Sequence, residues 1–450
     1  MIHKYKRSKR LAPVQILALG FVVAIVIGAI LLSLPIASQD GNSTPFLDSL
    51  FTSTSAVCVT GLAVVDTGTH WTYFGKTVIM ILIEIGGLGF MSFATLIALI
   101  VKKKITLKER LVMQEALNTF NIQGLVKLAK YILIFTFSIE GAGALLLSTQ
   151  FIPKFGVAKG IYYSIFHAIS AFCNAGFDLF GNFSSLTGFA DNSVVILVIS
   201  GLVIIGGLGF YVWQEIYNYK GIKKLSVHTK LVLTTSVILL VAGSILMFLF
   251  EKNNPATIGN MSLKNKLLSS FFASVTPRTA GFNSISTTDM TAAGNFLTIM
   301  YMFIGGSPGS TAGGIKTTTI GLLIMTVVSV IKGKQDTEIY KRRISKQTVY
   351  RALSVVMISF SVVVIVTITL SITQVKVPFE YYLYEATSAF GTVGLTLGLT
   401  GKLTAVGKVI ILITMYIGRV GPLTIAMALA RKRRLNPNSV RYPEGKILVG

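Results

Sequence analysis

The segment that decides the fold reads FTSTSAVCVTGL at residues 51–62 and returns as FHAISAFCNAGF at residues 166–177. In both copies an aromatic residue stands ten positions before a glycine, a Ser-Ala pair six and five positions before it, and a cysteine three positions before it. Residues 271–282 (FFASVTPRTAGF) and 384–395 (YEATSAFGTVGL) keep the aromatic residue and the glycine. The four glycines, Gly61, Gly176, Gly281 and Gly394, are 115, 105 and 113 residues apart. Because solenoid repeats are much shorter, this period indicates four repeated domains.

The composition around these segments is that of a membrane protein. Of the 450 residues, 52% are hydrophobic and only 13% are charged, and the mean hydropathy is +0.71. Apolar runs long enough to cross a bilayer core of roughly 30 Å lie at about 14–34, 76–101, 127–150, 193–217, 229–250, 294–331, 349–374 and 404–430. The first run is longer than the apolar part of a usual signal peptide, so we expect it to remain as a helix. The sequence therefore predicts an all-α polytopic membrane protein with eight transmembrane helices.

Charge and cysteine content exclude several other classes of protein. Two cysteines cannot form the disulfide framework of a small secreted fold. The formal net charge of +24 does not indicate nucleic-acid binding, because Lys and Arg occur in short bursts between apolar runs and not along one soluble face. The termini and the connectors after every second run contain 29 of the 41 Lys and Arg residues. The positive-inside rule then places both termini in the cytoplasm.

Each repeat is predicted to be a helix, a re-entrant pore loop and a second helix, in a pseudo-symmetric arrangement around one central pore. The connectors that contain the four glycines are too apolar for solvated loops and too short to cross the bilayer as helices. Irregular backbone at membrane depth persists only inside protein or beside water. We assign the repeats to residues 1–110, 111–225, 226–340 and 341–435, and a C-terminal tail to residues 436–450.

The glycine-containing loops indicate a cation pathway. Four Thr-Val-Gly-Tyr-Gly loops replace the hydration shell of K⁺ with backbone carbonyls in K⁺ channels, and residues 392–394 repeat the first three residues of that motif. Glycine lets a carbonyl approach an ion, because it lacks a Cβ and tolerates positive φ. Short helices predicted at 46–55, 162–171, 264–274 and 379–389 would aim the negative ends of their dipoles at the pore. The predicted ion-binding carbonyls belong to Val59, Thr60, Gly61, Asn174, Ala175, Gly176, Thr279, Ala280, Gly281, Thr392, Val393 and Gly394.

A gate is predicted in the sixth apolar run, which is rich in glycine and contains a proline while its counterparts look continuous. Such a segment should be irregular and lie beside a water path, where it can narrow the conduit. A glycine-rich helix crossing is the alternative. Arg419 aligns with Gly87 of the first repeat and is predicted to set a barrier below the loops. The alternative is that it packs away from the pore, where it forms a structural ion pair or caps carbonyls. The predicted gate residues are Gly305, Gly306, Ser307, Pro308, Gly309, Ser310, Thr311, Ala312, Gly313, Gly314, Lys316 and Arg419.

Other polar residues of the apolar runs and loops receive structural interpretations. The acids that follow the glycines could concentrate cations at the outer mouth or be ordinary loop acids; they are Asp66, Asp178 and Asp289. Glu84 and Glu140 are expected to be structural. Cys58 and Cys173 are expected to be small fillers behind the loops, and Arg278 is expected to point out of the pathway towards an acid.

In these residues the sequence resembles the membrane subunit of the Ktr potassium-uptake system, within the Trk/Ktr/HKT superfamily. The resemblance rests on the four repeats with one glycine per loop, on residues 55–62 and 279–283, and on Arg441-Tyr442-Pro443-Glu444-Gly445. It implies a K⁺-translocating homodimer in the bacterial cytoplasmic membrane, assembled on a cytosolic RCK-type nucleotide-binding ring and stimulated by Na⁺. It also implies that glycine in all four loops selects K⁺, that the sixth run contains an intramembrane gating loop, and that Arg419 takes part in the gate.

Two other functions are weighed against K⁺ uptake. A Na⁺-preferring or cation-coupled symporter of the same superfamily would share these motifs. An intramembrane enzyme would need paired carboxylates, a histidine cluster or an activated serine inside the runs, and none has a workable spacing. We therefore predict a K⁺ transporter that is not an enzyme, has no organic cofactor, and contacts the lipid bilayer and no nucleic acid.

Overall fold

A computed structural model describes residues 13–89, 106–116, 125–219, 225–374, 376–422 and 424. Within these ranges the chain forms fifteen α-helices and one short hairpin. The helices are α1 (Pro13–Ser33), α2 (Phe46–Val57), α3 (Tyr73–Leu88), α4 (Leu107–Ala116), α5 (Leu125–Phe155), α6 (Val157–Phe172), α7 (Ser193–Leu208), α8 (Phe210–Tyr217), α9 (Val227–Glu251), α10 (Leu263–Val275), α11 (Ala292–Phe303), α12 (Thr317–Ile331), α13 (Lys346–Thr373), α14 (Phe379–Gly391) and α15 (Ala405–Val420). Strands β1 (Thr337–Ile339) and β2 (Arg342–Ile344) pair antiparallel. The basic leader and the predicted tail at 436–450 lie outside the described residues.

Seven of the fifteen described helices begin after a polar N-cap residue that the sequence supplies at the right place. The side chains of seven N-cap residues accept hydrogen bonds from backbone N–H groups of the first turn, which otherwise have no partner inside the helix. These caps are Thr72, Asn192, Ser226, Ser262, Thr291, Ser345 and Thr404. Local sequence therefore fixes where these helices start.

Four described helices are long and apolar enough to cross a bilayer alone: Gln15–Ser33, Leu125–Phe155, Val227–Glu251 and Lys346–Thr373. They expose apolar side chains, among them Ile27 and Ile365, as helices that face lipid do. The helical architecture of a membrane protein is therefore present. The number of eight spans stays a prediction, because runs 76–101 and 404–430 extend into residues outside the described part.

The predicted break in the sixth run is confirmed, since α11 ends at Phe303 and α12 begins at Thr317. The expectation that its counterparts are continuous is wrong for run 193–217, where α7 and α8 meet at an angle of 94°. The turn lies at Gly209, whose φ of 96° suits glycine and stops the helix. Helices α3 and α15 also end before glycines with positive φ, Gly89 and Gly421.

The four short helices predicted before the glycines are confirmed as α2, α6, α10 and α14. Helices α2, α6 and α14 each pack between the two helices that flank them in their own repeat, whereas α10 packs against α9 of its own repeat and α7 of the second. In α2, residues 51–57 are buried on every side, and four of them are Ser or Thr. Burial inside protein is expected, because such a polar helix would be costly in lipid.

Contacts between repeats close a circle. Helix α3 touches α6 of the next repeat, α7 touches α10, α11 touches α14, and α15 of the last repeat touches α2 of the first. An ion pair between Lys408 and Asp48 supports this closure, because it joins α15 to α2. The four short helices are thereby brought to one central region.

Candidate functional site

The four segments that end in the repeated glycines meet in a closed ring. We call residues 59–61, 174–176, 279–281 and 392–394 the glycine segments. A Cβ added to Gly61 would lie 3.2 Å from Gly176 Cα, one on Gly176 would lie 2.9 Å from Gly281 Cα, one on Gly281 would lie 3.4 Å from Gly394 Cα, and one on Gly394 would lie 3.1 Å from Gly61 Cα. Neighbouring segments are therefore in main-chain contact, and the ring has no room for a side chain at the glycine position.

Backbone conformation repeats in all four glycine segments. The glycines have φ between 70° and 95°. The residues two positions earlier also have positive φ, although none is glycine: Val59 (56°), Asn174 (59°), Thr279 (74°) and Thr392 (51°). A β-branched residue such as Val59 adopts this conformation only under constraint, at a cost of roughly 1–3 kcal/mol. The constraint indicates a functional role for the orientation of these peptide groups.

Hydrogen bonds to the preceding helices hold the segments in this conformation. The N–H groups of Thr60, Ala175 and Val393 each donate to the carbonyl of the helix residue five positions earlier, at 2.7–2.9 Å. Ser55 Oγ accepts from Gly61 N–H at 3.0 Å, and Ser388 Oγ does the same for Gly394 at 3.1 Å. The N–H groups of the glycine segments thus point back to the short helices. The carbonyl groups of the same segments take no part in these hydrogen bonds and can face the ring.

A cavity of 120 Å³ lies against the four glycines, on the side predicted to be extracellular. Asp66 and Asp178 line it, whereas Asp289 does not. Asp66 is fixed by N–H groups of Thr69 and Phe183. Burial raises the pKa of Asp178 to about 7, and the nearby charge of Asp66 acts in the same direction, while the Phe180 N–H acts against it. Two of the three loop acids therefore line the cavity beside the four glycines.

The irregular segment between α11 and α12, residues 304–316, lies against the second and fourth repeats. Its Ser307 N–H donates to Gly207 O at 2.9 Å, and Thr311 Oγ donates to Phe172 O at 3.1 Å. On the other side, a Cβ on Gly313 would collide with the hydroxyl of Thr392. The segment therefore runs beneath the glycine segments, and the alternative of a continuous glycine-rich helix is wrong.

Arg419 connects this segment to the first repeat. Its guanidinium donates to the carbonyls of Thr311 and Gly86, and to Gly87 O at 3.4 Å. Arg419 therefore caps main-chain carbonyls, and its contact with Thr311 lies in the predicted gate segment. Lys316 folds back onto its own segment and donates to Ala312 O at 2.7 Å.

Glycines of the second helices also approach main chain closely. A Cβ on Gly86, Gly206 or Gly418 would collide with the carbonyl oxygen of Val57, Phe172 or Phe390, respectively. Each of these carbonyls lies at the C-terminal end of a short buried helix. The glycine repeat of the second helices therefore serves helix packing.

The structure corrects the expectation for Arg278. Its guanidinium donates to Ser236 Oγ on α9 at 3.3 Å, and Nε has no hydrogen-bond partner among the described residues. Among the described ion pairs none includes Arg278. The acid of α9, Glu251, lies at the end of that helix and already binds Thr291 and Thr257. The Arg278 side chain points away from the ring, but it binds a hydroxyl group and not a carboxylate.

Several supporting residues were missed by sequence reasoning. Glu385, fully buried on α14, accepts hydrogen bonds from the hydroxyls of Thr396 and Thr400 beyond the fourth glycine. His167 bridges Tyr163 O and Leu179 N–H, beside the second glycine segment. No spacing motif signals these contacts, although an acid inside a buried helix such as α14 is itself unusual and could have been noticed. Cys173 lies beside Glu84 and Glu140, residues distant in sequence.

Comparisons with known proteins agree with this architecture. Residues 4–438 match the model of the TrkH family, described as a cation transport protein. The chain is 48% identical over 453 residues to the potassium/sodium uptake protein NtpJ of Enterococcus hirae, covering 100% of each chain. It is 46% identical to the Ktr system potassium uptake protein B of Bacillus subtilis, covering 98% of this chain and 97% of the relative. A crystal structure of the potassium transporter TrkH from Vibrio parahaemolyticus matches with a TM-score of 0.75 at 18% identity. The match covers 96% of this chain and 87% of the TrkH chain.

Proposed function

Because this chain belongs to the TrkH family of cation transport proteins, as its motifs predicted, we propose that it takes up K⁺ through the ring of glycine segments. The family contains transporters, so the intramembrane enzyme is set aside. The observation that carries the proposal is the closed ring, in which main chain and not side chain faces the centre. Peptide oxygens at such a constriction can replace the hydration shell of an alkali metal ion. Two relatives are named as potassium uptake proteins, which supports the choice of ion.

Electrostatics favours a cation at this position. Helices α2, α6 and α14 end one or two residues before the glycine segments, so the negative ends of their dipoles lie at the ring. Asp66 and Asp178 add negative charge in the cavity above it. An inward-negative potential of 100 mV supplies about 2.3 kcal/mol per charge, which can drive K⁺ inward through a channel-like pore.

The segment 304–316 is proposed as the gate. It lies beneath the ring, and Arg419 ties it to the end of α3. Hydrogen bonds to a charged group contribute about 1.5–3 kcal/mol each, so this link can hold the segment in a blocking position. The positive charge of Arg419 also raises the electrostatic barrier for a cation that leaves the ring.

The second candidate is a transporter that prefers Na⁺ or couples K⁺ to another cation. The sodium in the name of the Enterococcus hirae relative is the observation that favours it. The remaining features of the proposal come from the family resemblance: a homodimer, a cytosolic RCK-type nucleotide-binding ring, and stimulation by Na⁺. The word "system" in the Ktr names supports additional components. The distribution of basic residues supports cytoplasmic termini in a bacterial cytoplasmic membrane.

Ion flux into proteoliposomes tests these alternatives. The purified protein should take up K⁺ and rubidium down an imposed electrical gradient, with Na⁺ moving more slowly under the same conditions. Uptake of K⁺ without accompanying Na⁺ or proton flux is expected of a channel-like pore. Obligatory movement of a second cation with each K⁺ would identify a symporter, and faster Na⁺ than K⁺ flux would contradict the assigned selectivity.

A further inference from the structure

Three buried side chains from three separate helices converge behind the second glycine segment. Glu84 lies on α3, Glu140 lies on α5, and Cys173 caps the C-terminus of α6. One ligand atom from each lies within 4.8 Å of the other two. Their exposed fractions are 8%, 4% and 0%. Neither the ring nor the proposed gate uses these groups, and their proximity is not needed to explain K⁺ uptake.

The distances fit a small divalent transition metal. With Zn–S near 2.3 Å and Zn–O near 2.0–2.2 Å, tetrahedral geometry separates a sulfur and an oxygen ligand by about 3.5 Å. Cys173 Sγ is 3.5 Å from Glu84 Oε2 and 3.9 Å from Glu140 Oε1. Both sulfur–oxygen distances are therefore within a few tenths of an ångström of the tetrahedral value.

A second observation is independent of this clustering. In the part of the chain that the structure describes, no N–H or hydroxyl group donates to the buried Glu84 Oε1, although the other oxygen of that carboxylate, Oε2, accepts from the Cys173 thiol. A buried carboxylate oxygen without a partner is costly. Bidentate coordination by Glu84 would satisfy that oxygen and supply a fourth ligand position.

Local charge also favours a bound divalent ion. Two carboxylates and a thiolate have a charge of −3, which a divalent metal reduces to −1. The guanidinium of Arg419 lies nearby, 3.4 Å from Gly87 O, and a Cβ on Gly87 would collide with Cys173 Sγ. The cluster, the metal and this arginine together are neutral, as a site away from water requires.

We propose that Glu84, Glu140 and Cys173 form a binding site for a divalent transition metal of the Zn²⁺ class. The thiolate favours Zn²⁺ or Cd²⁺ over Mg²⁺, Ca²⁺ and the alkali ions, which prefer oxygen ligands alone. On binding, the thiol releases its proton to solvent and a metal–sulfur bond forms. The bound ion cross-links α3 of the first repeat to α5 and α6 of the second.

Cadmium titration of the purified, full-length protein in detergent tests the site, because a Cd²⁺–thiolate bond has an ultraviolet charge-transfer band. After treatment with a chelator, the wild type should bind one Cd²⁺ per chain and develop this band in the presence of excess Mg²⁺ and K⁺. Zn²⁺ should compete with Cd²⁺ and raise the unfolding temperature. Cys58→Ser is the matched control, since Cys58 is the other cysteine of the chain, caps α2 in the same way and is equally buried.

The variants separate this site from other binding. Cys173→Ser should abolish the band and the Zn²⁺-induced stabilisation, whereas Cys58→Ser should retain both. Glu140→Gln and Glu84→Gln keep the thiol and should weaken Cd²⁺ binding at least about tenfold. These two variants also decide the matter if Cys173→Ser does not fold. Absence of the band in the wild type, its loss in Cys58→Ser alone, or wild-type affinity in both glutamine variants would overturn the proposal.

Discussion

The guanidinium of Arg419 donates a hydrogen bond to the backbone carbonyl of Thr311, 108 residues earlier in the chain. The same group reaches Gly86, at the end of α3. One side chain therefore joins the irregular segment of the third repeat to helices of the fourth and the first. A change at this position acts on all three at once.

Replacement of Arg419 by alanine should accelerate K⁺ flux, because the segment 304–316 loses its link to α3 and the barrier loses a positive charge. An increase of about tenfold corresponds to a barrier lower by about 1.4 kcal/mol. Rubidium uptake into proteoliposomes measures it. Arg343→Ala is the control, since that side chain is 74% exposed and pairs with Asp336. Flux equal to that of the wild type would remove Arg419 from the gate.

Replacement of Gly61 by serine should reduce the preference for K⁺ over Na⁺. The added Cβ collides with the carbonyl of Ala175, and the φ of 89° disfavours any side chain. The ring must widen or lose a carbonyl, so the two ions become less distinct. Competition between K⁺ and Na⁺ for rubidium uptake measures the preference. Gly401→Ser, where no atom lies within 4 Å of the added carbon, should behave as the wild type, and an unchanged preference in Gly61→Ser would contradict the filter assignment.

Uptake should fall as the external pH is lowered through about 7, because Asp178 then becomes protonated and the cavity loses negative charge. Asp178→Asn should flatten this part of the pH profile at the low level, while Asp289→Asn, outside the cavity, should leave it unchanged. Rubidium uptake from buffers of graded pH gives the profile. A profile in Asp178→Asn that still falls near pH 7 would assign the titration to another group.

Titration of Asp178 should also affect the stability of the fold, but with the opposite pH dependence: stability falls as the pH rises, whereas uptake falls as the pH is lowered. Its pKa is higher in the folded protein than the ordinary value of 3.8, so the fold binds the proton more tightly than the unfolded chain does. The stability that this group contributes is therefore complete below about pH 4 and is lost as the pH rises to about 7. Thermal unfolding of Asp178→Asn should lack this component, in comparison with the wild type at the two pH values.

Replacement of Gly206 by alanine should destabilise the protein by about 1–3 kcal/mol or more, since the new methyl group overlaps Phe172 O. Gly201→Ala is a control on the same helix, where the added carbon meets no atom within 4 Å. That change should stabilise α7 by about 0.5–1 kcal/mol, because glycine is a poor helix former. Thermal unfolding in detergent distinguishes them, and equal unfolding temperatures would contradict the close helix contact.

Patterns of apolar residues and the repeated glycines were enough to predict the helical membrane fold, the four short helices and the break before Thr317. Local signals govern these features: polar caps, glycine and proline, and a run of Ser and Thr that must avoid lipid. The bend at Gly209 was missed because Gly206-Gly207-Leu208-Gly209 also satisfies a packing motif. A glycine can allow close helix packing or end a helix, and the amino-acid sequence does not distinguish the two roles.

Contacts between repeats could not be predicted in the same way. Glu84 and Cys173 are 89 residues apart, and no periodicity brings them together. Arg278 illustrates the same limit, since its neighbour is decided by which face of α9 packs against the third glycine segment. The sequence indicates which residues are unusual for a membrane interior, whereas the packing of distant helices decides their partners.

Since one polypeptide supplies every quarter of the ring, its walls need not be alike. Valine, asparagine and threonine occupy the position two residues before the glycine, so the side chains that pack behind the ring differ from one repeat to the next. A four-subunit channel must alter all its walls together when one codon changes. Here a single substitution affects one wall, so under the proposed function the preference for one alkali metal over another could change in small steps.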